Sequence, residues 1–319
     1  MKKHKNKFFI LFLGLSIVAI LREFYFGIIY LYNICLSRGS KLAIMSLIDV
    51  KKETKIVLDD FKEEKVKIKN WLNKTLVEGI KIKSFDKTLL FAEWFVNKGN
   101  KWVIILHGYG SNGRLMYYVA RKFHNKGYNV LVPDLRGHGL SGGSYVGMGY
   151  HDRLDLIKWI KKVKKIDRKS KIVLYGVSMG ASTALMASSE KLPKNVKCII
   201  SDCAFTSAYD ILKHQLKKAK KVPIFPFLNI LNIICIIKNN YSLKKASPLK
   251  RIKKNKLPTF FIHGDDDNFV PTYMVFDLYT KCNSKKEIMI VNNAGHTVCE
   301  IVGKKLYWKR ISLFLDKYC

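Results

Sequence analysis

Short apolar runs alternate with amphipathic stretches from about residue 76 to the end of this 319-residue chain. That alternation predicts an α/β fold, a mostly parallel, twisted sheet flanked by helices on both faces. Two further observations support it. Motifs rich in Gly, Ser, His and Asp follow the apolar runs directly, at the carboxyl ends of the strands, where such sheets place their sites. A basic and then apolar stretch at the N-terminus stands outside the alternation and predicts a membrane helix ahead of the domain.

Residues 76–84 and 88–96 read as a hairpin turning at Asp86-Lys87. Apolar runs follow at 102–106, 129–133, 171–175, 197–202, 259–263 and 287–291, with helical stretches around 114–126, 150–165, 179–190, 272–282 and 303–317. Before the hairpin, residues 37–74 are polar and charged, and Val57, Phe61, Ile68 and Leu72 are spaced for a helix lying against the domain.

At the N-terminus, Lys2, Lys3, Lys5 and Lys7 precede an uncharged run from Phe8 to Leu21, and a second apolar run spans Phe24 to Leu36. The first run alone is shorter than the roughly 20 residues a span needs. Joined across Arg22 and Glu23 the two suffice, provided that pair snorkels or neutralises itself. A short apolar stretch after a basic start also fits a cleaved signal, but no small-x-small cleavage site follows Leu21. The reading is an uncleaved anchor over 1–36, a helical linker over 37–74 and a catalytic domain over 75–319. The leading lysines favour an N-terminus inside and an extracytoplasmic domain. On this division, deletion of residues 1–36 is expected to leave a soluble, active protein.

Composition narrows the function classes. There are 58 Lys+Arg against 24 Asp+Glu, yet only nine are Arg, and the lysines are spread along the chain. Arg carries most bidentate base reading, so this pattern argues against a nucleic-acid binder. It suits solvated faces or attraction to an anionic surface such as a bilayer. The seven cysteines include no CxxC pair and form neither metal-ligand spacing nor a dense disulfide framework.

The chemistry centres on Gly176-Val177-Ser178-Met179-Gly180, between an apolar strand and a helical stretch. A serine on a sharp strand-to-helix turn sits in a strained backbone, and glycines two residues either side avoid collision. The helix that follows aims free N–H groups at the site. A hydroxyl needs a base. Nucleophile, acid and base are expected in that chain order, and His214, His263 and His296 follow Ser178. Of these, His296, in Asn293-Ala294-Gly295-His296-Thr297, has all the acid candidates before it. For the acid that orients the imidazole, His263-Gly264-Asp265-Asp266-Asp267 offers a cluster. Asp267, Asp265 and Asp202 are taken in that order. One oxyanion donor is expected from the N–H of Met179, and the other from Tyr109 in His107-Gly108-Tyr109-Gly110.

The set HGYG, DLRGHGLSGG (Asp134–Gly143), GVSMG, HGDDDNFVP and AGH resembles the serine-aminopeptidase and monoacylglycerol-lipase-like branch of the α/β-hydrolase superfamily. Within it, the set is most similar to membrane-anchored hydrolases of Gram-positive bacteria. The resemblance spans about residues 75–319 and implies the α/β-hydrolase fold. It also implies Asp267 as the triad acid, Tyr109 as an oxyanion donor and a structural role for the loop holding His138. It does not fix the substrate.

Some 55 residues separate the runs at 197–202 and 259–263, and Val222–Ile237 carries eleven large apolar side chains. This insertion, about 205–250, reads as a small helical lid, with Phe225 and Phe227 as substrate-binding candidates; an apolar wall favours an acyl chain. The sequence thus predicts a serine hydrolase of acyl esters with no metal or cofactor, its partners a small-molecule ester and the bilayer. Its alternatives are an aminopeptidase-like enzyme, a thioesterase and a membrane-tethered binder on a degenerate hydrolase fold. The oligomeric state is left open.

Overall fold

A computed structural model describes residues 2–38, 63–219 and 223–319. Val57 and Phe61 of the linker, and Lys220, Lys221 and Val222 ahead of the lid segment, lie outside the described residues. Eight strands are present: β1 (Val77–Lys83), β2 (Leu89–Phe95), β3 (Lys101–Leu106), β4 (Asn129–Pro133), β5 (Lys171–Val177), β6 (Val196–Asp202), β7 (Thr259–Gly264) and β8 (Lys286–Val291). They form one sheet in the order β1-β2-β4-β3-β5-β6-β7-β8. β1 pairs antiparallel with β2, and β2 with β4; from β4 to β8 every pairing is parallel. The central strands are apolar almost throughout because helices cover both faces.

Alternate residues feed two cores. Trp102, Ile104, Leu106, Ile172, Leu174, Ile199 and Phe261 face one layer. Val103, Ile105, Val130, Val173, Tyr175, Ile200 and Phe260 face the other. This is the geometry of a strand, whose successive side chains point to opposite faces of the sheet. Eight of the helices are used below: α1 (Lys2–Leu36), α2 (Tyr117–His124), α3 (Asp152–Ile166), α4 (Met179–Ala187), α5 (Ala208–Ala219), α6 (Phe227–Asn239), α7 (Tyr273–Lys281) and α8 (Cys299–Tyr318). α3 and α4 cover the first face, α2 and α8 the second. A further helical stretch over 63–72 docks through Trp71, which stacks on Phe95 at 4.6 Å.

Within α1, Ile10–Leu36 is long and apolar enough to cross a membrane. Its two ends differ. Ile10, Leu11, Phe12, Leu15, Ile17, Val18, Ile20 and Leu21 are exposed, whereas Leu31, Tyr32, Cys35 and Leu36 are buried in the first core. Arg22 lies over the Phe26 ring, 5.7 Å from its centre. The last third of α1 is therefore packed as part of the domain, and the boundary drawn at residue 36 from hydropathy falls inside that packing. Hydropathy cannot separate lipid-facing from core-facing apolar residues, since both environments exclude water.

Candidate active site

Ser178 sits between β5 and α4 with φ 54° and ψ −114°, a conformation that costs an L-residue strain and occurs where structure over-determines it. The flanking glycines are what permit it. A Cβ on Gly176 would lie 2.5 Å from the Ala181 nitrogen, and one on Gly180 only 2.2 Å from the Leu106 carbonyl oxygen. The serine N–H donates to the Asp202 carbonyl at 2.8 Å, fixing the turn to the end of β6.

His296 lies between β8 and α8. Its Nε2 is 2.9 Å from Ser178 Oγ. Its Nδ1 donates to Asp267 Oδ2 at 2.7 Å. Asp267 Oδ1 accepts the Phe269 and Val270 N–H groups at 2.9 and 2.8 Å. Burial opposes ionisation of this carboxylate, but the imidazoles beside it, His296 foremost, and their hydrogen bonds outweigh that cost. They hold its pKa well below the ordinary carboxylate range. The arrangement can draw the proton from Ser178 and stabilise the imidazolium that results.

The other aspartates are engaged elsewhere. Asp265 Oδ1 accepts the Asn293 N–H at 2.7 Å and so steadies the loop that carries His296. Asp266 Oδ1 receives the side-chain amide of Asn268 at 3.0 Å. Asp202 Oδ2 takes the Tyr307 hydroxyl at 2.7 Å, and that hydroxyl meets Tyr175 at 2.7 Å; burial pushes the Asp202 pKa up. Sequence reasoning passed over three neighbours of the relay. Phe269 covers His296 with ring centres 4.7 Å apart. His263 is fully buried, with Nε2 3.2 Å from Asp267 Oδ2. Cys203, also buried, places its sulfur with the Asp267 and His296 donor atoms inside a 4.8 Å cluster. Those three could ligate a soft metal ion only by breaking the serine–histidine–aspartate relay.

The His107–Gly110 loop lies against Ser178: a Cβ on Gly108 would be 3.5 Å from that of Ser178. Two histidines shape the loop. His107 Nε2 accepts the Leu135 N–H at 2.9 Å while its Nδ1 lies 2.7 Å from the Gly108 carbonyl. His138 Nε2 accepts the Gly110 N–H at 3.2 Å while its Nδ1 lies 2.9 Å from the Arg136 carbonyl. In both rings Nδ1 carries the proton, because its neighbour is an acceptor. The Asp134–Gly143 loop is braced in turn. Asp134 accepts the N–H groups of Gly113 and Leu140, both at 2.7 Å, and buried Arg136 pairs with Asp155 and Asp86. Met179, fully buried, opens α4 directly after Ser178.

The insertion between β6 and β7 holds α5 and α6. Gln215 of α5 donates to the Phe269 carbonyl at 2.6 Å, joining it to the loop beside the relay. Phe225 is 76% exposed. Phe227 packs on Phe24 of α1, ring centres 4.9 Å apart. The two candidate substrate residues thus face solvent and α1 respectively, and Phe269 is the aromatic side chain seen against His296.

Sheet order, strand-to-helix serine turn and serine–histidine–aspartate relay together define an α/β hydrolase. Comparison with known proteins agrees. The model of the α/β hydrolase fold matches residues 101–226. The uncharacterized protein YqkD of Bacillus subtilis is 31% identical over 215 residues, covering 67% of this chain and 70% of YqkD. The uncharacterized membrane protein YNL320W of Saccharomyces cerevisiae is 24% identical, covering 69% and 72%. Among solved structures, the esterase Pf2001 of Pyrococcus furiosus is 29% identical with a TM-score of 0.63, covering 77% of this chain and 94% of the esterase. The chain belongs to the α/β-hydrolase family.

Proposed function

We propose that this hydrolase cleaves carboxylic esters of acyl chains through an acyl-enzyme. Ser178 attacks the carbonyl, and His296 takes its proton and later returns it to the leaving alcohol. Asp267 orients the imidazole, and the Tyr109 and Met179 N–H groups hold the oxyanion. The observation that carries the reading is the relay itself, 2.9 Å from Ser178 to His296 and 2.7 Å from His296 to Asp267. Likeness to an esterase supports an ester as the substrate.

The bilayer is the second partner in this reading. The exposed apolar part of α1 supports an anchor, and its basic start supports an inside N-terminus with the catalytic domain outside. On α6, which packs along the buried end of α1, Ile233, Ile236 and Ile237 are exposed, as is Phe225 just before it. That face suits contact with lipid, and the segment acts as a lid at the membrane surface.

The test is labelling of the full-length protein with a fluorophosphonate, followed by a panel of acyl esters, acyl thioesters and aminoacyl amides. Labelling lost in Ser178→Ala, with turnover highest on esters, is expected. Turnover confined to aminoacyl amides would replace the esterase reading with a peptidase. A wild type without labelling or turnover would leave a binding protein on a hydrolase fold.

A further inference from the structure

The loop that holds Tyr109 is fastened to the end of α1 by two independent routes. The Tyr109 hydroxyl donates to the Cys35 carbonyl at 2.9 Å, with the Ile34 carbonyl at 3.5 Å. These carbonyls belong to the last turn of α1, where a helix leaves its acceptors without intrahelical donors. Just beyond the helix, the Arg38 guanidinium donates to the carbonyls of Ser141, Gly139 and Gly143 at 2.6, 2.9 and 3.2 Å. Those carbonyls belong to the loop of His138, whose Nε2 accepts the N–H of Gly110, next to Tyr109. Backbone bonds seal the junction: Val146 N–H to the Leu36 carbonyl at 2.7 Å and Arg38 N–H to the Ser144 carbonyl at 2.8 Å.

An oxyanion donor works only if it is already aimed at the position the charged oxygen will take. The Tyr109 side chain and the Gly110 N–H are held separately, one by α1 directly and one through His138. We propose that the C-terminal end of α1 is a positioning element of the oxyanion loop, acting through the Tyr109 hydroxyl and Arg38. The membrane helix is then part of the catalytic apparatus as well as a tether. Arg38 and the Tyr109 hydroxyl are positioning groups that act through the Tyr109 N–H. The inference rests on the esterase reading and on that N–H as oxyanion donor.

The test uses full-length protein in lipid nanodiscs and the variants Tyr109→Phe, Arg38→Ala and Arg38→Lys. Fluorophosphonate titration counts competent serines, so turnover can be expressed per labelled site. A folding defect reduces the number of sites; a misaimed loop slows each one. Tyr109→Phe and Arg38→Ala are each expected to lower kcat per site about tenfold, with KM within about twofold. Arg38→Lys should recover part of the loss, since an ammonium also donates to carbonyls. If Tyr109→Phe and Arg38→Ala both retain wild-type kcat per site, the positioning role is overturned while the esterase reading stands. If the wild type neither labels nor hydrolyses an ester, both fall.

Discussion

Asp267 Oδ2 is approached by two imidazoles: Nδ1 of His296 at 2.7 Å and Nε2 of His263 at 3.2 Å. The two rings come from different elements: His263 lies at the end of β7, while His296 follows β8. His263 Nε2 also lies 2.8 Å from the Val270 carbonyl. Both of its near neighbours are acceptors, so Nε2 carries the proton and the carboxylate is clamped between two donors.

Loss of that clamp should be visible in turnover. His263→Leu removes the donor and leaves the Val270 carbonyl short of a partner in a fully buried place. We expect kcat to fall about tenfold or more through a misplaced Asp267, with stability lower by about 1–3 kcal/mol. A steady-state assay paired with a thermal melt checks both; a variant with unchanged kcat would show that Asp267 needs only its backbone donors.

Asp267 and Asp202 are separable by their partners. Asp267→Asn should cost about 10⁴-fold in kcat, because an amide at that place favours the wrong histidine tautomer. Asp202 meets Tyr307 rather than an imidazole, so Asp202→Asn should act mainly on the melting temperature. Kinetics of the two variants side by side decide the matter: a larger kcat loss in Asp202→Asn would move the acid to β6.

Helix α1 can be divided where its packing changes. Removal of residues 1–23 takes away the exposed apolar run Ile10–Leu21 and spares Phe24, which packs on Phe227. This truncation should lose membrane partition and keep its fold. Removal of residues 1–36 also takes Leu31, Tyr32, Cys35 and Leu36 out of the core, at about 2–5 kcal/mol for each large apolar side chain. It should aggregate or melt far lower, contrary to the expectation drawn from hydropathy alone. The full-length protein should resist extraction by about 1 M salt, which screens charge but not apolar burial. Fractionation and melting curves of the three forms provide the check.

Two adjacent residues at the start of α3 titrate in opposite senses. Burial, with the nearby Asp155 charge, raises the Asp152 pKa from 3.8 to about 7. Burial, with Arg136 and Arg153, lowers the His151 pKa from 6.5 to about 4. An acid raised on folding holds more protons folded than unfolded, so its contribution is full below its unfolded pKa and is lost as pH climbs to its folded one. The histidine does the reverse, and its contribution grows between about pH 4 and 6.5. Asp152→Asn removes the falling component. Its melting temperature, measured across that window, should rise more steeply with pH than that of the wild type; parallel curves would show that Asp152 does not titrate there.

Much of this molecule was legible in the chain because its signals are local. The short apolar runs of 102–106 and 171–175, and the glycines around Ser178, each reflect the residue's own backbone and neighbours. The acid was harder. Asp265, Asp266 and Asp267 stand together in sequence, and only the bend of the loop assigns one to His296 and another to Asn293. His263 and Phe269 were missed because their importance comes from a fold contact that no spacing records. Phe227 was read as a substrate-binding candidate, and the chain alone could not show that its ring lies on Phe24. Apolarity announces burial without naming the partner.

The hydrogen bond from the Tyr32 hydroxyl to Asn239 Oδ1 closes a loop of 207 positions. Synthesis runs from the N-terminus, so the end of α1 exists long before α6, its packing partner, has been made. During that interval the face carrying Leu31 and Tyr32 lacks the surface that α6 later supplies. The contacts between α6 and the end of α1 can therefore form only after most of the chain has been made, and they form wherever α1 already lies.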